Sequence, residues 1–427
     1  MTRKFFAGVL LSCLLIAAKV NGQADFPNIT MVYRPSLKSV LFVRTGFELS
    51  APVIRLNSTE KLDLSFDDLS EEARTYMFTI RHCGYDWTTT PDLLTSEYIN
   101  GMPEDEIITE ENSFNTTVPY IHYSISFPTR DLQPKLSGNY LLIVWSDDPS
   151  RPDITLRFMV AEPSSVGVEA EITQPDLLEE RFTGQQINFK VNMGGFPLMD
   201  ARREVKVVVL QNDRWDNALL APEPRFVRGN ELDWFYDERN VFDGGNEFRG
   251  FDLKSLRYQT MRIRKIMYDT AFQVWLLDDP NRSSKNYIYE SDINGRILIK
   301  SEDNAQRSEL ESDYAWVHFS FPSGPLPSGL KLYILGALTN WRMDESSEMY
   351  YNAGSRRFER ALFLKQGYYN YLYAAGMGGD TYGDVTIAEG SHWETENQYM
   401  VLVYLREIGG LYDRLVAVQE INSRIRK

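Results

Sequence analysis

The sequence predicts an all-β protein of tandem β-sandwiches, and three observations carry that prediction. Apolar and polar residues alternate with period two along most of the chain, several fully apolar runs are only as long as one strand, and no segment sustains a helical period. At 427 residues, 43% hydrophobic and 13% aromatic, the chain can bury several cores, which excludes a disordered one.

The strands follow in order. Leu62, Leu64 and Phe66 alternate with Lys61, Asp63, Ser65 and Asp67, and Ile187, Phe189, Val191 and Met193 alternate with Asn188, Lys190 and Asn192. Both segments read as half-buried strands. YLLIVW (140–145), VKVVVL (205–210) and FQVWLL (272–277) are apolar on both faces and suit central strands. DDLSEEARTY (67–76) is expected to carry one short helical turn.

At the N-terminus, Arg3 and Lys4 precede the apolar run FFAGVLLSCLLIAA, and small residues follow near Gly22. This is the layout of a cleaved signal peptide over residues 1–22, and no run reaches the roughly 20 residues of a spanning helix. Cys13 sits in LLSC, which loosely resembles a lipobox, but Leu14, Leu15 and Ile16 follow where a lipoprotein turns polar. An exported protein without direct membrane insertion is expected. Removing Arg3, Lys4 and Lys19 from 45 basic residues leaves 42 against 60 acidic ones, a net charge of −18. That surface argues against nucleic acid and anionic headgroups as partners. Cys83 is then the single cysteine, so no internal disulfide staples the fold.

Composition breaks divide the mature chain. AEPSSVGVEAE (161–171) reads as a linker, and the polar run SEDNAQRSELES (301–312) as a second boundary. The expected units are sandwiches at residues 23–163, 164–305 and 306–427, each of immunoglobulin-like size.

The chain offers few residues for a catalytic or metal site. RHCGYDW (81–87) sets His82 beside Cys83, but neighbouring strand residues point to opposite faces, so the two cannot converge as base and thiol. His122, His318 and His392 are scattered and HWETE (392–396) lacks the second histidine of a metalloprotease helix. Asp279, Asn281, Ser283 and Glu290 fall in an EF-hand register, but Ser284 stands where that loop needs glycine. PEDEIITEEN (103–112) reads as a solvated acidic loop. No catalytic residue, cofactor, metal or small-molecule ligand is expected.

The longer context of RHCGYDW carries a resemblance. YMFTIRHCGYDWTTTPDLLTSEYINGM, SFNTTVPYIHYSISFP and LSGNYLLIVW resemble the first domain of the plug protein family of the Bacteroidetes type IX secretion system. The matching positions include His82, Cys83, Asp86 and Trp87 in the first segment and Gly138, Asn139 and Tyr140 in the last. GGNEFRGFD, with Gly244, Gly245, Asn246, Glu247 and Arg249, is similar to the family's second block, together with DINGR (292–296). EGSHWETENQYMVLVYLRE and GGLYDRLVAV resemble its C-terminal block. The resemblance implies a non-enzymatic periplasmic protein that caps the periplasmic mouth of the outer-membrane β-barrel translocon and gates cargo export. Gly84, Gly138, Gly244 and Gly245 are expected at positive φ, Trp87, Phe114, Tyr120 and Tyr140 in core or corner positions, and Asn246, Glu247 and Arg249 either exposed for contact or bracing a loop.

LYILGALTNWRMDESSEMYYNAGSRRFERALFLKQGYYNYLYA resembles an early-set, glycogen-binding type of sandwich through Gly336, Trp341, Gly367, Tyr368 and Tyr371. It implies an alternative function, carbohydrate binding on Trp341, Tyr350, Tyr351 and Tyr373.

Overall fold

Alternation in the sequence becomes three β-sandwiches in the computed structural model, which describes residues 26–70, 72–90, 92–303 and 306–424. The expected leader at residues 1–22, with Cys13, lies outside the described residues. Helices among the described residues are limited to short turns such as Thr95–Tyr98 and Ser308–Glu311.

In the first sandwich, one sheet runs Met31–Val32, Ile154–Ala161, Gly138–Trp145, Met77–Cys83 and Asp105–Glu106, with Val53–Arg55 parallel to the second of these. It faces Leu37–Arg44, Leu62–Asp68, Ile121–Phe127 and Thr109–Asn112. Leu62, Leu64, Phe66, Phe78, Tyr140 and Phe158 fill the space between. Gly138–Trp145 is buried at every position, as an apolar run on both faces demands. Residues 67–76 form no helical turn among those described. Asp68 instead accepts hydrogen bonds from the Ser70 amide at 2.9 Å and the Tyr76 hydroxyl at 2.8 Å, a local bonding pattern that competes with a helix.

The second sandwich pairs Gly167–Thr173, Gly184–Asn192, Glu231–Asp233 and Phe226–Arg228 in one sheet, with Val241–Asp243 beside Gly184–Asn192. Its other sheet is Arg214–Leu220, Val205–Gln211, Gln398–Leu405 and Arg414–Asn422. Val205 to Gln211 pair antiparallel with Leu405 to Tyr399. The chain's last hairpin therefore belongs to the second sandwich, and the division at 164–305 and 306–427 is corrected. The third sandwich is inserted between Val241–Asp243 and Gln398–Leu405.

The inserted unit is a nine-stranded sheet folded around Phe251, Val317, Phe319, Tyr369, Tyr371 and Tyr373. Phe272–Leu276 and Tyr314–Pro322 lie parallel, so the chain must cross over between them. The polar run 301–312 lies in that crossover and is not a boundary. Phe272–Leu276 sits next to the sheet's edge strand and is only partly buried, so it is not the central strand its composition suggested.

The first and third sandwiches meet at a buried ion pair. Lys365 Nζ lies 2.6 Å from Asp67 Oδ2 and donates to the Glu309 carbonyl at 2.7 Å, while the Tyr314 hydroxyl donates to Asp67 at 2.6 Å and His122 Nδ1 lies 2.7 Å from the other Asp67 oxygen. Burial lowers the Lys365 pKa against the pull of Asp67, so the ammonium depends on its partner. Asp313 adds a second tie, accepting from the backbone amides of Thr117 and Val118.

Lys365→Met should leave the Asp67 carboxylate buried without its cation and lower unfolding free energy by about 3 kcal/mol. Denaturant titration measures this, and the loss should shrink when Asp67→Asn is added.

Candidate functional site

The motif residues occupy the joints between sandwiches. At the end of strand Met77–Cys83, His82 points into the first sandwich and Cys83 to the opposite face, which the second sandwich covers together with Trp87, Leu141, Ile143 and Trp145. His82 is 1% exposed, its ring nitrogens each 3.1 Å from Thr90 Oγ1 and the Ser137 carbonyl, with Tyr140 and Tyr412 edge-on to the ring. Burial pushes its pKa down to about 4 and the Cys83 thiol up to about 12. Neither group is poised for nucleophilic chemistry at neutral pH.

The turn after Cys83 is built to receive the C-terminal hairpin. Asp86 Oδ1 accepts from the Thr88 amide and hydroxyl, closing an Asx turn. Asn139 donates to the Gly84 carbonyl at 3.0 Å and accepts from the Tyr404 hydroxyl at 2.7 Å. Asp413 accepts from the Tyr85 amide at 3.0 Å and pairs with Arg406 at 2.7 Å. Gly138 has φ +130°, and a Cβ there would stand 2.8 Å from the Asp413 carbonyl and 2.7 Å from His82 Nε2. Trp87 meets Trp215 of the second sandwich edge to face at 4.9 Å, with the Arg157 guanidinium 4.4 Å over its ring.

The second block builds the joint between second and third sandwiches. Asn246, Glu247 and Arg249 are buried, so they brace a loop and are not exposed contacts. Asn246 Nδ2 donates to the Glu389 carbonyl, and Arg249 pairs with Glu389 at 2.9 Å and Asp279 at 3.3 Å. Arg282 completes the pairing of Glu389 at 2.7 Å, and Asp279 also takes Arg262 and the hydroxyls of Tyr371 and Tyr373. Burial alone would raise the Glu389 pKa, but Arg249 and Arg282 hold it below the usual carboxylate range. The EF-hand register dissolves, since Asp279 is consumed by arginines and tyrosines and Asn281 caps its own turn. Gly244 is required by close approach, because its Cβ would stand 2.1 Å from the His392 carbonyl; neither it nor Gly84 is at positive φ, whereas Gly245 is.

The carbohydrate platform does not assemble. Tyr373 is buried in the third core, Tyr351 is half-buried against Phe358, and Trp341 is wedged against Phe248 at 5.9 Å under Arg214 at 5.0 Å. Only Tyr350 is well exposed, because strand alternation sends its neighbours to the other face. Trp87, Tyr120 and Tyr140 are buried as expected, whereas Phe114 is exposed.

Sequence reasoning missed two features. One is a cleft of about 830 Å³ where the three sandwiches meet, lined by Phe42, Pro52, Trp215, Tyr333, Trp341 and Arg342. The other is a trio of carboxylates, Glu247, Asp292 and Glu396, whose oxygens lie within 4.8 Å of one another. Burial pushes Asp292 up to about 7 against the two backbone amides it accepts, and burial likewise raises Glu247. Each residue lies in a quoted motif, but no spacing signal joins positions so far apart in the chain.

Residues 37–162 match the model of the type 9 secretion system plug protein 1st domain. In a solved structure, a hypothetical protein from Parabacteroides merdae ATCC 43184 is 32% identical over 93% of this chain and 100% of its own, with a TM-score of 0.89. The C-terminal domain of the Streptococcus agalactiae AgI/II polypeptide BspA is 9% identical over 90% of this chain and 96% of its own; its TM-score of 0.15 carries no argument. No curated protein matches. What these findings define is an all-β component of a secretion system and not a member of a known enzyme family. The chain belongs to the type 9 secretion system plug protein family.

Two outcomes follow from the first joint. Cys83 should resist a thiol reagent in the native protein at pH 8 and react once denaturant exposes it, which absorbance of the released chromophore reads out. His82 binds its proton less readily folded than unfolded, so its contribution to stability is complete above pH 6.5 and is lost as pH falls from there toward 4. Unfolding free energy should drop by up to roughly 3 kcal/mol over that window, and His82→Gln should flatten the drop relative to the parent chain.

Proposed function

We propose that this protein is the periplasmic plug that caps the periplasmic mouth of the type IX outer-membrane β-barrel and gates cargo export. The observation that carries this reading is the family match over the first sandwich, extended along the chain by the Parabacteroides protein. Three joints supply what a stopper needs: the Tyr404 hydroxyl of the second sandwich bonds Asn139 of the first, Lys365 of the third pairs with Asp67 of the first, and Arg296 of the third pairs with Asp213 of the second. Inter-domain motion is the default for tandem modules, and the buried Asp67–Lys365 pair and shared apolar surface oppose it here.

The partner in this reading is the barrel, met from the periplasm without insertion of this chain into the bilayer. No helix among the described residues is long and apolar enough to cross a membrane. The net charge of −18 expected after leader removal favours a rim that is basic, with contacts that salt can loosen.

A C-terminally tagged chain purified from detergent-solubilised envelopes should bring a very large outer-membrane β-barrel protein with it at low salt and less of it at high salt. Recovery of soluble partners or glycans alone would overturn the plug reading. Recovery that is indifferent to salt would remove only its electrostatic part.

A further inference from the structure

We propose that Glu247, Asp292 and Glu396, with the amide oxygen of Asn294, form a calcium-binding site that clamps the inserted third sandwich to the second. Glu247 lies on the outward crossing, between Val241–Asp243 and Arg249–Asp252. Glu396 lies on the return crossing, just before Gln398–Leu405. Asp292 and Asn294 come from the turn that precedes Ile297–Ile299 of the third sandwich. A cation held by all four ties both crossings and the insert together.

Three carboxylates converge here without a counter-charge. One oxygen from each lies within 4.8 Å of the others, and among the described residues none of the three forms an ion pair. The nearest guanidinium, Arg282, donates to the Glu247 backbone carbonyl and spends its charge on Glu389. The existing partners leave capacity over. Glu247 Oε1 accepts from the Tyr287 hydroxyl and the Glu396 amide, Asp292 accepts from the Phe248 and Asn294 amides, and Glu396 accepts from the side-chain amides of Asn422 and Asn294.

Two further atoms point to a ligand. Glu247 is fully buried, yet its Oε2 has no hydrogen-bond partner. Asn294 is 8% exposed, its Oδ1 is also buried without a partner, and its Nδ2 lies 3.5 Å from Glu396 Oε2. A half-turn of that amide brings Oδ1 to the carboxylates, the orientation a cation requires. Orphaned buried acceptors are costly, and a cation satisfies both at once.

The donor set selects the ion. All four ligands are oxygens, which suits a hard cation and disfavours zinc or copper. An ion centred among three oxygens sets them about 4.2 Å apart at a calcium–oxygen distance of about 2.4 Å, and only about 3.6 Å apart at the magnesium distance of about 2.1 Å. Three oxygens at the full 4.8 Å would lie about 2.8 Å from their centre, so calcium asks for a small closing in of the side chains and magnesium for a larger one.

The test uses the purified full chain, freed of divalent ions with chelator and titrated with calcium chloride by calorimetry. The expected result is one calcium per chain with a Kd below about 1 mM, weaker magnesium binding, and a Tm raised by about 4 °C at saturation. Asp292→Asn and Glu396→Gln should each weaken calcium binding at least tenfold and remove the Tm rise. Should either variant fail to fold, terbium luminescence of the parent chain, sensitised by Tyr287 and quenched by calcium, reads the same site. Absence of saturable calcium binding by the parent chain, or binding unchanged in a folded variant, overturns the proposal.

Discussion

The pairing of Val205–Gln211 with Gln398–Leu405 is the constraint on which the rest of the molecule depends. These strands lie far apart in the chain, and each is apolar on most of its residues. Neither could remain an edge strand without exposing that surface, so each takes a central place beside the other. Their pairing makes everything between them an insertion with two fixed ends. It also delivers Tyr404, Arg406 and Asp413 to the turn after Cys83, so one sheet sets both the attachment of the third sandwich and the seat of the first.

Much of what holds the joint of first and third sandwiches, and the third sandwich itself, is polar and buried. Asp67 with Lys365, Glu389 with Arg249 and Arg282, and Asp279 with Arg262 are ion pairs with at least one member almost fully enclosed. Replacing such pairs with apolar residues often stabilises a fold, so their presence is weak evidence for stability as such. The geometry of Asp67 with Lys365 does discriminate between arrangements: a third sandwich rotated against the first would bury both charges unpaired, whereas the other pairs brace the third sandwich from within. A hydrophobic joint tolerates slip, and this joint penalises it.

Legibility in the sequence divides along the same line. The strands around Leu62, Ile187 and Tyr140 were readable because period-two alternation is a local property, and so was the divergence of His82 from Cys83. The insertion was not readable. Gln398–Leu405 has the pattern of a central strand, and nothing local says which sheet it completes. Alternation also cannot tell which face meets solvent, which is why Tyr373 resembled a sugar platform and proved to be core. The charged residues of GGNEFR looked exposed on composition, yet Arg249 finds Glu389 140 positions away and becomes a buried brace. The three carboxylates escaped notice for the same reason, since each was visible in its own motif and only the return crossing brings them together.

Joints of this kind bear on how a plug could work. The first sandwich contacts both others, and the third is fixed to the second by both crossings, so moving any one unit breaks at least two joints. The joint of first and third contains a buried pair, Asp67 with Lys365, whose disruption costs several kcal/mol, whereas an exposed ion pair contributes at most about 1 kcal/mol. A stopper held at its seat by exposed acidic side chains would therefore leave the seat before it came apart. In the proposed plug role, opening the pore would then require only that the seat be weakened, and the expected acidic surface would make that seat sensitive to competing charge.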